Sequence, residues 1–225
     1  MRVEALLRLL QISDTAFPTG AFAHSLALEA FAEAGELRDP EDLKHVVGLH
    51  LSALATSDCV ALRAASGAEV EDLLWMDRRL AATKLTRELR TASASTGKRF
   101  LSNVVSLGVE DERLRGFTEV VREGATPGNL AVGYGVAAPA LGLDLDEILY
   151  AYLYAGAASL VAAGQKLIPL GGSAAQRVLY ELGGEILRAG EVSENMEIED
   201  MYAFAPTIDA RSMLHERQRT RLYIS

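Results

Sequence analysis

The chain has 225 residues, 22 Lys and Arg against 31 Asp and Glu, a formal net charge of -9 and a single cysteine, Cys59. That length allows one substantial core, and the negative charge argues against non-specific nucleic-acid binding. One cysteine excludes an internal disulfide and any zinc site built on cysteines. The amphipathic, acid-containing opening lacks the apolar run of a secretory signal, so we expect a cytoplasmic protein with one domain over residues 1–225.

Apolar residues recur at spacings of three and four throughout, and alternating runs of strand length are almost absent. The pattern predicts an all-α fold, a bundle of about eight to nine helices. Signals such as Asp39-Pro40 and Thr126-Pro127 mark where helices begin. The approximate helices are 3–12, 20–34, 41–66, 69–82, 85–106, 111–123, 127–140, 145–165 and 173–189.

Two late segments, 129–143 and 148–164, are apolar nearly all round and rich in Ala and Gly. They predict a central helix pair packed backbone to backbone, and a face suited to homodimerisation. The second segment lies at the lower limit of membrane-spanning length. Acids before it and Lys166 after it favour a core helix, so no membrane is expected.

Sequence motifs for chemistry are absent. Thr96-Gly97-Lys98 lacks the earlier glycine of a phosphate loop, and no nucleophile elbow or zinc-protease pair occurs. The histidines are not at metal-ligand spacing. We therefore expect no enzyme, no resident metal and no cofactor.

Three features in the helical regions suggest contacts. Phe22, Ser25 and Glu29 share a helix face by steps of three and four, although a solvated edge would give the same pattern. Asp58 interrupts an apolar row and needs a cation or several donors, unless it is partly exposed. Lys166 closes the most apolar helix, where a simple interaction with the helix dipole is the alternative.

A polar stripe on the helix 85–106 and the residue before it is the fourth feature. A solvated face explains it, and an interface is the competing interpretation. Its members are Lys84, Arg87, Glu88, Thr91, Ser95 and Lys98.

The C-terminal residues place a basic arm on an acidic protein. From Arg211 onward there are four arginines and one acid, Glu216. In an extended chain Arg217, Arg219 and Arg221 fall on one side, suited to an acidic partner. We predict a flexible arm over about 207–225, with a merely solvated tail as the alternative.

Four segments together resemble the urease accessory protein F family (UreF), and they cover nearly the whole chain in order. They are the loop and helix from Pro18 to Glu29, the segment from Arg87 to Gly97, the Lys-Leu-Ile-Pro-Leu-Gly run from Lys166 to Gly171, and the closing stretch from Ala203 to Ser225. The chain departs from the family pattern at Ala27, where a glycine is usual, and at Arg219, where a tyrosine is usual.

The resemblance implies an all-helical, homodimeric accessory protein for urease maturation by nickel insertion. It implies binding to the UreD/UreH scaffold and recruitment of the nickel-carrying GTPase UreG to apo-urease, with nickel and GTP handled by those partners. The arm is expected to become ordered on the scaffold protein.

The resemblance also assigns residues. A structural charge network is expected from Asp58, Arg87, Glu88 and Arg90. The expected partner-binding residues are Phe22, His24, Ser25, Glu29, Lys166, Arg211, His215, Glu216, Arg217, Arg219 and Arg221.

Three alternatives stay open. Arg221 could act as an arginine finger that activates the partner GTPase. Lys166 and Asp58 could form an enzyme site in a helical pocket. The arm could bind RNA, which would give steep salt dependence.

Overall fold

The computed structural model describes residues 3–218 and 221–225. These residues form α-helices and two short 3-10 turns, with no strand among them, which confirms the all-α prediction. The helices are α1 Val3–Ser13, α2 Leu28–Glu33, α3 Pro40–Ala55, α4 Asp58–Gly67, α5 Val70–Thr83, α6 Arg87–Ser106, α7 Glu112–Arg122, α8 Leu130–Ala140, α9 Leu145–Leu167, α10 Gly172–Glu181, α11 Gly183–Glu194 and α12 Pro206–His215.

The described chain has more helical segments than the eight to nine predicted, because several predicted helices are divided and α12 lies within the predicted arm. The long helix predicted over 41–66 breaks at Thr56 and Ser57. There the Thr56 carbonyl accepts the N–H of Tyr202 at 3.0 Å, and the Thr56 hydroxyl donates to the Tyr202 carbonyl at 2.9 Å. Tyr202, which is remote in sequence, thus forms hydrogen bonds with the polar groups of Thr56 at the break between α3 and α4.

The predicted helix 20–34 is also divided. Ala21–Ala23 form a 3-10 turn, and α2 begins only at Leu28. Between them Leu26 and Ala27 have φ values of 49° and 76°, the left-handed region that residues with a Cβ rarely adopt. This backbone orients the residues from Ala23 to Leu26 toward the C-terminal segment.

Helix α8 lies at the centre of the fold. Every residue from Ala131 to Ala138 is buried, because α4, α6 and α9 pack around it. Its first turn is fixed by Asp77, whose buried carboxylate accepts the N–H groups of Gly128 at 2.6 Å and Asn129 at 2.7 Å. A carboxylate at this position also suits the positive end of the helix dipole.

Glycines allow the closest helix contacts, but these join α8 to α4 and α6 and not chiefly to α9, the partner predicted for it. A Cβ built on Gly135 of α8 would lie 2.4 Å from the Leu62 carbonyl of α4. One built on Gly97 of α6 would lie 2.1 Å from the Gly128 carbonyl. The buried apolar side chains form one cluster that extends from Ala5 to Tyr223.

Within the residues that the structure describes, two helical stretches are long and apolar enough to cross a membrane by length and composition alone. They are Pro40–Gly67 and Leu145–Leu167, with 61% and 50% of the apolar window buried inside the protein. Both contribute to the central core, as expected of core helices.

Candidate functional site

The C-terminal residues lie against the helical body, so the flexible arm predicted for 207–225 is not confirmed. Residues Pro206–His215 form α12, which packs on α2 and α6. Ile208, Ser212 and His215 are buried in that contact. Sequence reasoning treated the segment as a charged arm and missed the buried positions one helical turn apart.

His215 is completely buried between two carboxylates. Its Nδ1 lies 2.8 Å from Glu88 of α6, and its Nε2 lies 3.1 Å from Glu29 of α2. Arg221 donates to the other oxygen of Glu88 at 2.8 Å. We call Glu29, Glu88, His215 and Arg221 the His215 cluster; the fold brings its members together from three distant parts of the sequence.

Glu29 also holds the main chain of residues 221–225, which we call the terminal segment. Its carboxylate accepts the N–H groups of Leu222 at 2.6 Å and Tyr223 at 2.9 Å. Burial acts to raise the pKa of Glu29, but hydrogen bonds from Leu222, His215 and Tyr223 outweigh burial and keep that pKa below its ordinary value. Glu29 is therefore an ionised anchor for the terminal segment.

Ser225 is bound where the backbone turns before α2. Its main-chain oxygen accepts the N–H groups of Ser25 at 2.5 Å and Leu26 at 3.0 Å, and the Ser25 hydroxyl at 2.9 Å. The Ser225 hydroxyl lies 2.8 Å from His24 Nδ1. Burial, with the charge of Arg99, lowers the pKa of His24, so its ring is neutral near pH 7.

These contacts revise the predicted partner surface. His24 and Ser25 are buried and contact the protein's own terminal segment, and His215 is buried between Glu29 and Glu88. Phe22 is 73% exposed, and Lys166 and Arg217 are exposed as well.

The remaining predicted arm residues lie at the edge of the same region. Arg211 is paired with Glu36 through a 2.9 Å bond from Nε, and Glu216 with Arg87 at 3.2 Å. Arg219 lies outside the described residues.

Lys166 joins this region from a third part of the chain. Its ammonium lies 5.8 Å from the ring centroid of Tyr223, within the range of a cation–π interaction. The Tyr223 hydroxyl donates to the Ala163 carbonyl of α9 at 3.4 Å. Phe22 precedes Ala23, whose carbonyl accepts the N–H of Ile224 at 2.9 Å, so one surface combines Phe22, Lys166 and the terminal segment.

Asp58 belongs to a separate buried cluster. Its carboxylate accepts hydrogen bonds from Lys84 at 2.6 Å, Tyr152 at 3.0 Å and Ser57 at 3.1 Å. The cation that the sequence required is Lys84, which had been assigned only to the polar stripe. The pairing of Asp58 with Lys166 was wrong, and the enzyme site based on it loses its geometric basis.

The charge network predicted with Asp58 is likewise divided between sites. Glu88 belongs to the His215 cluster, while Arg90 donates to the carbonyls of Lys84 and Leu85 at 2.7 and 2.8 Å. Arg90 thus caps the turn before α6. Sequence reasoning missed Asp77 entirely, although it stands between Leu73 and Leu80 on a core face, the same signal that drew attention to Asp58.

A cavity of about 200 Å³ lies beside the Asp58–Lys84 pair. His24, His50 and Tyr152 are among its lining residues, together with apolar side chains from α3, α8 and α9. Burial lowers the pKa of His50 to about 4, and its Nε2 has no hydrogen-bond partner in the part of the chain that the structure describes. Among the described residues, no group of three or more His, Cys, Asp or Glu is placed to hold a metal ion.

The fold and the site define an all-helical protein. Its buried charges hold its helices together, and its exposed C-terminal surface combines residues from distant parts of the sequence. Comparison with known proteins gives the family. The UreF family model matches residues 37–183. The chain is 38% identical to the urease accessory protein UreF of Paenarthrobacter aurescens (strain TC1), with 97% of each chain covered.

Two further relatives agree. The chain is 36% identical to the urease accessory protein UreF of Arthrobacter sp. (strain FB24), with 97% of this chain and 96% of the relative covered. It is 31% identical to that of Corynebacterium glutamicum (strain R) over the full length of both. The chain belongs to the UreF family of urease accessory proteins.

Proposed function

We propose that this protein is a cytoplasmic chaperone that supports nickel insertion into urease as an adaptor without chemistry of its own. It binds the UreD/UreH scaffold, and in that complex it recruits the GTPase UreG to apo-urease. Nickel and GTP are cargo and substrate of those partners, so no resident metal or cofactor is required. Similarity over almost the full length of urease accessory proteins supports this role.

The observation that carries the proposal is the composite surface. Phe22, Lys166 and the terminal segment are separated by more than fifty residues in the sequence, yet Tyr223 of the terminal segment contacts both Glu29 and Lys166. Exposed Leu222 and Ile224, at 63% and 64%, add apolar area next to the charges. An apolar patch flanked by charge is typical of protein–protein contacts.

We also propose a homodimer. Helix α9 carries Gly156, where an added Cβ would meet nothing within 4 Å, and Tyr154 on the same helix is 51% exposed. The open space at Gly156 leaves room for a second copy to approach α9 closely. Light scattering of the purified chain tests this, and a monomer mass across the micromolar range would contradict it.

Passive recruitment is favoured over activation of GTP hydrolysis by Arg221. The Arg221 guanidinium donates to Glu88 at 2.8 Å and to the carbonyls of Gln218 and Glu216 at 3.3 and 3.4 Å. An arginine finger would have to leave these three acceptors to reach a phosphate. Phosphate release by the GTPase, measured with and without this chain, separates the two: recruitment alone leaves the rate unchanged.

The proposed function is tested by co-purification with UreD and UreG homologues and by the nickel content of urease matured with each variant. We expect Phe22→Ala to lose partner binding, because it removes an aromatic ring that is exposed in the chain alone. Arg122→Ala is the control, since Arg122 is exposed on α7 and pairs with its neighbour Glu119. Full nickel loading of urease without this chain would overturn the proposal.

A further inference from the structure

The cavity beside the Asp58–Lys84 pair, which we call the central cavity, is large enough to hold a small molecule. Its volume of about 200 Å³ exceeds the roughly 150 Å³ at which an apolar protein cavity binds benzene. Its apolar lining includes Leu51, Leu54, Leu130 and Leu160. Asp14 and Thr15, which are exposed on the surface, also line it, so the cavity is open to solvent on that side.

Several polar groups in the wall of the central cavity are already paired within the protein. Asp58 pairs with Lys84, and the Tyr152 hydroxyl donates to the same carboxylate. The Tyr134 hydroxyl donates to the Ile12 carbonyl at 3.0 Å. Because Asp58 and Lys84 balance each other, a charged ligand beside them would lose its hydration without gaining a counter-charge. The wall therefore favours an uncharged ligand.

Two polar atoms of the wall are not paired in this way. They are Nε2 of His50 and Oγ of Ser13, two of the five buried side-chain polar atoms that make no hydrogen bond among the described residues. His50 is 7% exposed, so most of its ring is out of reach of bulk water. A buried polar atom without a partner is unfavourable, so a molecule in the cavity that bonds to it is favoured.

We propose that the central cavity binds a small uncharged hydroxyl compound, whose apolar body lies among the leucines and whose hydroxyl group is hydrogen-bonded to His50 Nε2. A nitrogen of a neutral imidazole is either a donor or an acceptor, and a hydroxyl group pairs with both kinds. A hydrocarbon would leave this nitrogen unpaired. The inference goes beyond the proposed role in urease maturation and does not rest on it.

Phenol and toluene are matched probes, because they have nearly the same shape and only phenol carries a hydroxyl group. NMR titration of the full chain at pH 7, where the lowered pKa keeps His50 neutral, gives the dissociation constant of each probe. We expect phenol to saturate one site and to shift the ring ¹⁵N resonance of His50 Nε2 far more than toluene does. The ring resonances of His45, which is exposed on α3, should move with neither probe.

His50→Leu replaces the polar ring by an apolar side chain and so removes the hydrogen bond to the probe. The ratio of the two affinities is the useful quantity, because a change in cavity volume affects both probes alike. We expect the affinity for phenol relative to toluene to fall about tenfold in this variant. His45→Leu makes the same substitution at an exposed histidine and should keep the ratio of the parent chain.

A central cavity that takes up only water would give no saturable binding of phenol, and this result would overturn the proposal. Phenol that binds without moving the His50 Nε2 resonance would overturn it too, as would an unchanged affinity ratio in His50→Leu. Should His50→Leu fail to fold by circular dichroism, the titration of the parent chain still decides. No arm of the experiment involves urease maturation, so its outcome is independent of the proposed function.

Discussion

The ammonium of Lys84 and the carboxylate of Asp58 form a buried ion pair, with Nζ 2.6 Å from Oδ2. Asp58 is 2% exposed, and the side chain of Lys84 is 12% exposed. Tyr152 donates to the second oxygen at 3.0 Å, so the carboxylate is satisfied on both sides. The pair fastens the start of α4 to the residue that follows α5, next to the central cavity.

Removing one partner of this pair should be costly, because the other stays buried without compensation. We expect Asp58→Ala to lower the free energy of unfolding by about 3–5 kcal/mol. Asp72→Ala, which removes an exposed acid of α5, should change it by less than about 0.5 kcal/mol. Urea denaturation measures both. Equal small losses in the two variants would show that Lys84 reaches water once Asp58 is gone.

Ala27 offers a stabilising substitution. Its φ of 76° is in the left-handed region, which costs an alanine about 1–2 kcal/mol but costs glycine nothing. Part of the gain is lost because glycine gives the unfolded chain more freedom. We expect Ala27→Gly to raise the free energy of unfolding by about 0.5–1 kcal/mol. Ala30→Gly, within α2, should lower it by a similar amount. A loss of stability in Ala27→Gly would contradict the backbone conformation described.

The sequence predicts the helices well where local signals decide and poorly where distant residues do. Asp39 with Pro40 begins α3 as expected, because that cap is local. The break at Thr56 depends on Tyr202, about 150 residues away, and no local pattern can show it. For the site, the resemblance identified Glu29, His215 and Arg221, but not that they bind one another. The charge pattern alone predicted an arm over 207–225. In the fold His215 is buried, and this burial determines where α12 lies.

Substitution by alanine should have opposite effects on stability at Gly135 and at Gly156, two glycines in similar apolar segments of the sequence. At Gly135 a Cβ would lie 2.4 Å from the Leu62 carbonyl and 2.9 Å from the Ala65 side chain, so α4 and α8 must separate. We expect Gly135→Ala to cost about 1–3 kcal/mol. Gly156→Ala meets open space within the chain and should stabilise α9 by up to about 1 kcal/mol.

Thermal melts measure both substitutions, and light scattering separates effects within the chain from effects on the proposed dimer. A loss of stability in Gly156→Ala together with a fall in mass would place Gly156 at the contact between two copies. A neutral Gly135→Ala would contradict the close packing of α4 on α8.

His50 should make the protein less stable in mild acid. Burial lowers its pKa from 6.5 to about 4, so in this window the unfolded chain binds a proton that the folded chain does not. Stability contributed by the neutral ring is therefore complete above pH 6.5 and declines as pH falls toward 4. We expect a loss of about 2 kcal/mol between pH 7 and pH 5 from this residue. His50→Gln should remove that loss and His45→Gln should not, by urea denaturation at both pH values.

Substitutions of Lys166 and Arg221 by alanine should have different effects on stability but the same effect on function. Lys166→Ala removes an exposed cation that contacts the Tyr223 ring, so we expect a change below about 0.5 kcal/mol. Arg221→Ala leaves the largely buried Glu88 with one cation fewer, and we expect a loss of about 1–2 kcal/mol.

If both cations belong to one partner surface, each variant should also lower the nickel content of matured urease, because losing an interfacial charge pair costs about 2–5 kcal/mol of binding. Thermal melts, GTPase-partner pulldown and nickel analysis measure these effects, with Arg122→Ala as the surface control. Wild-type nickel loading with both variants would rule out the composite surface, whereas equal losses of stability would make Lys166 a structural residue like Arg221.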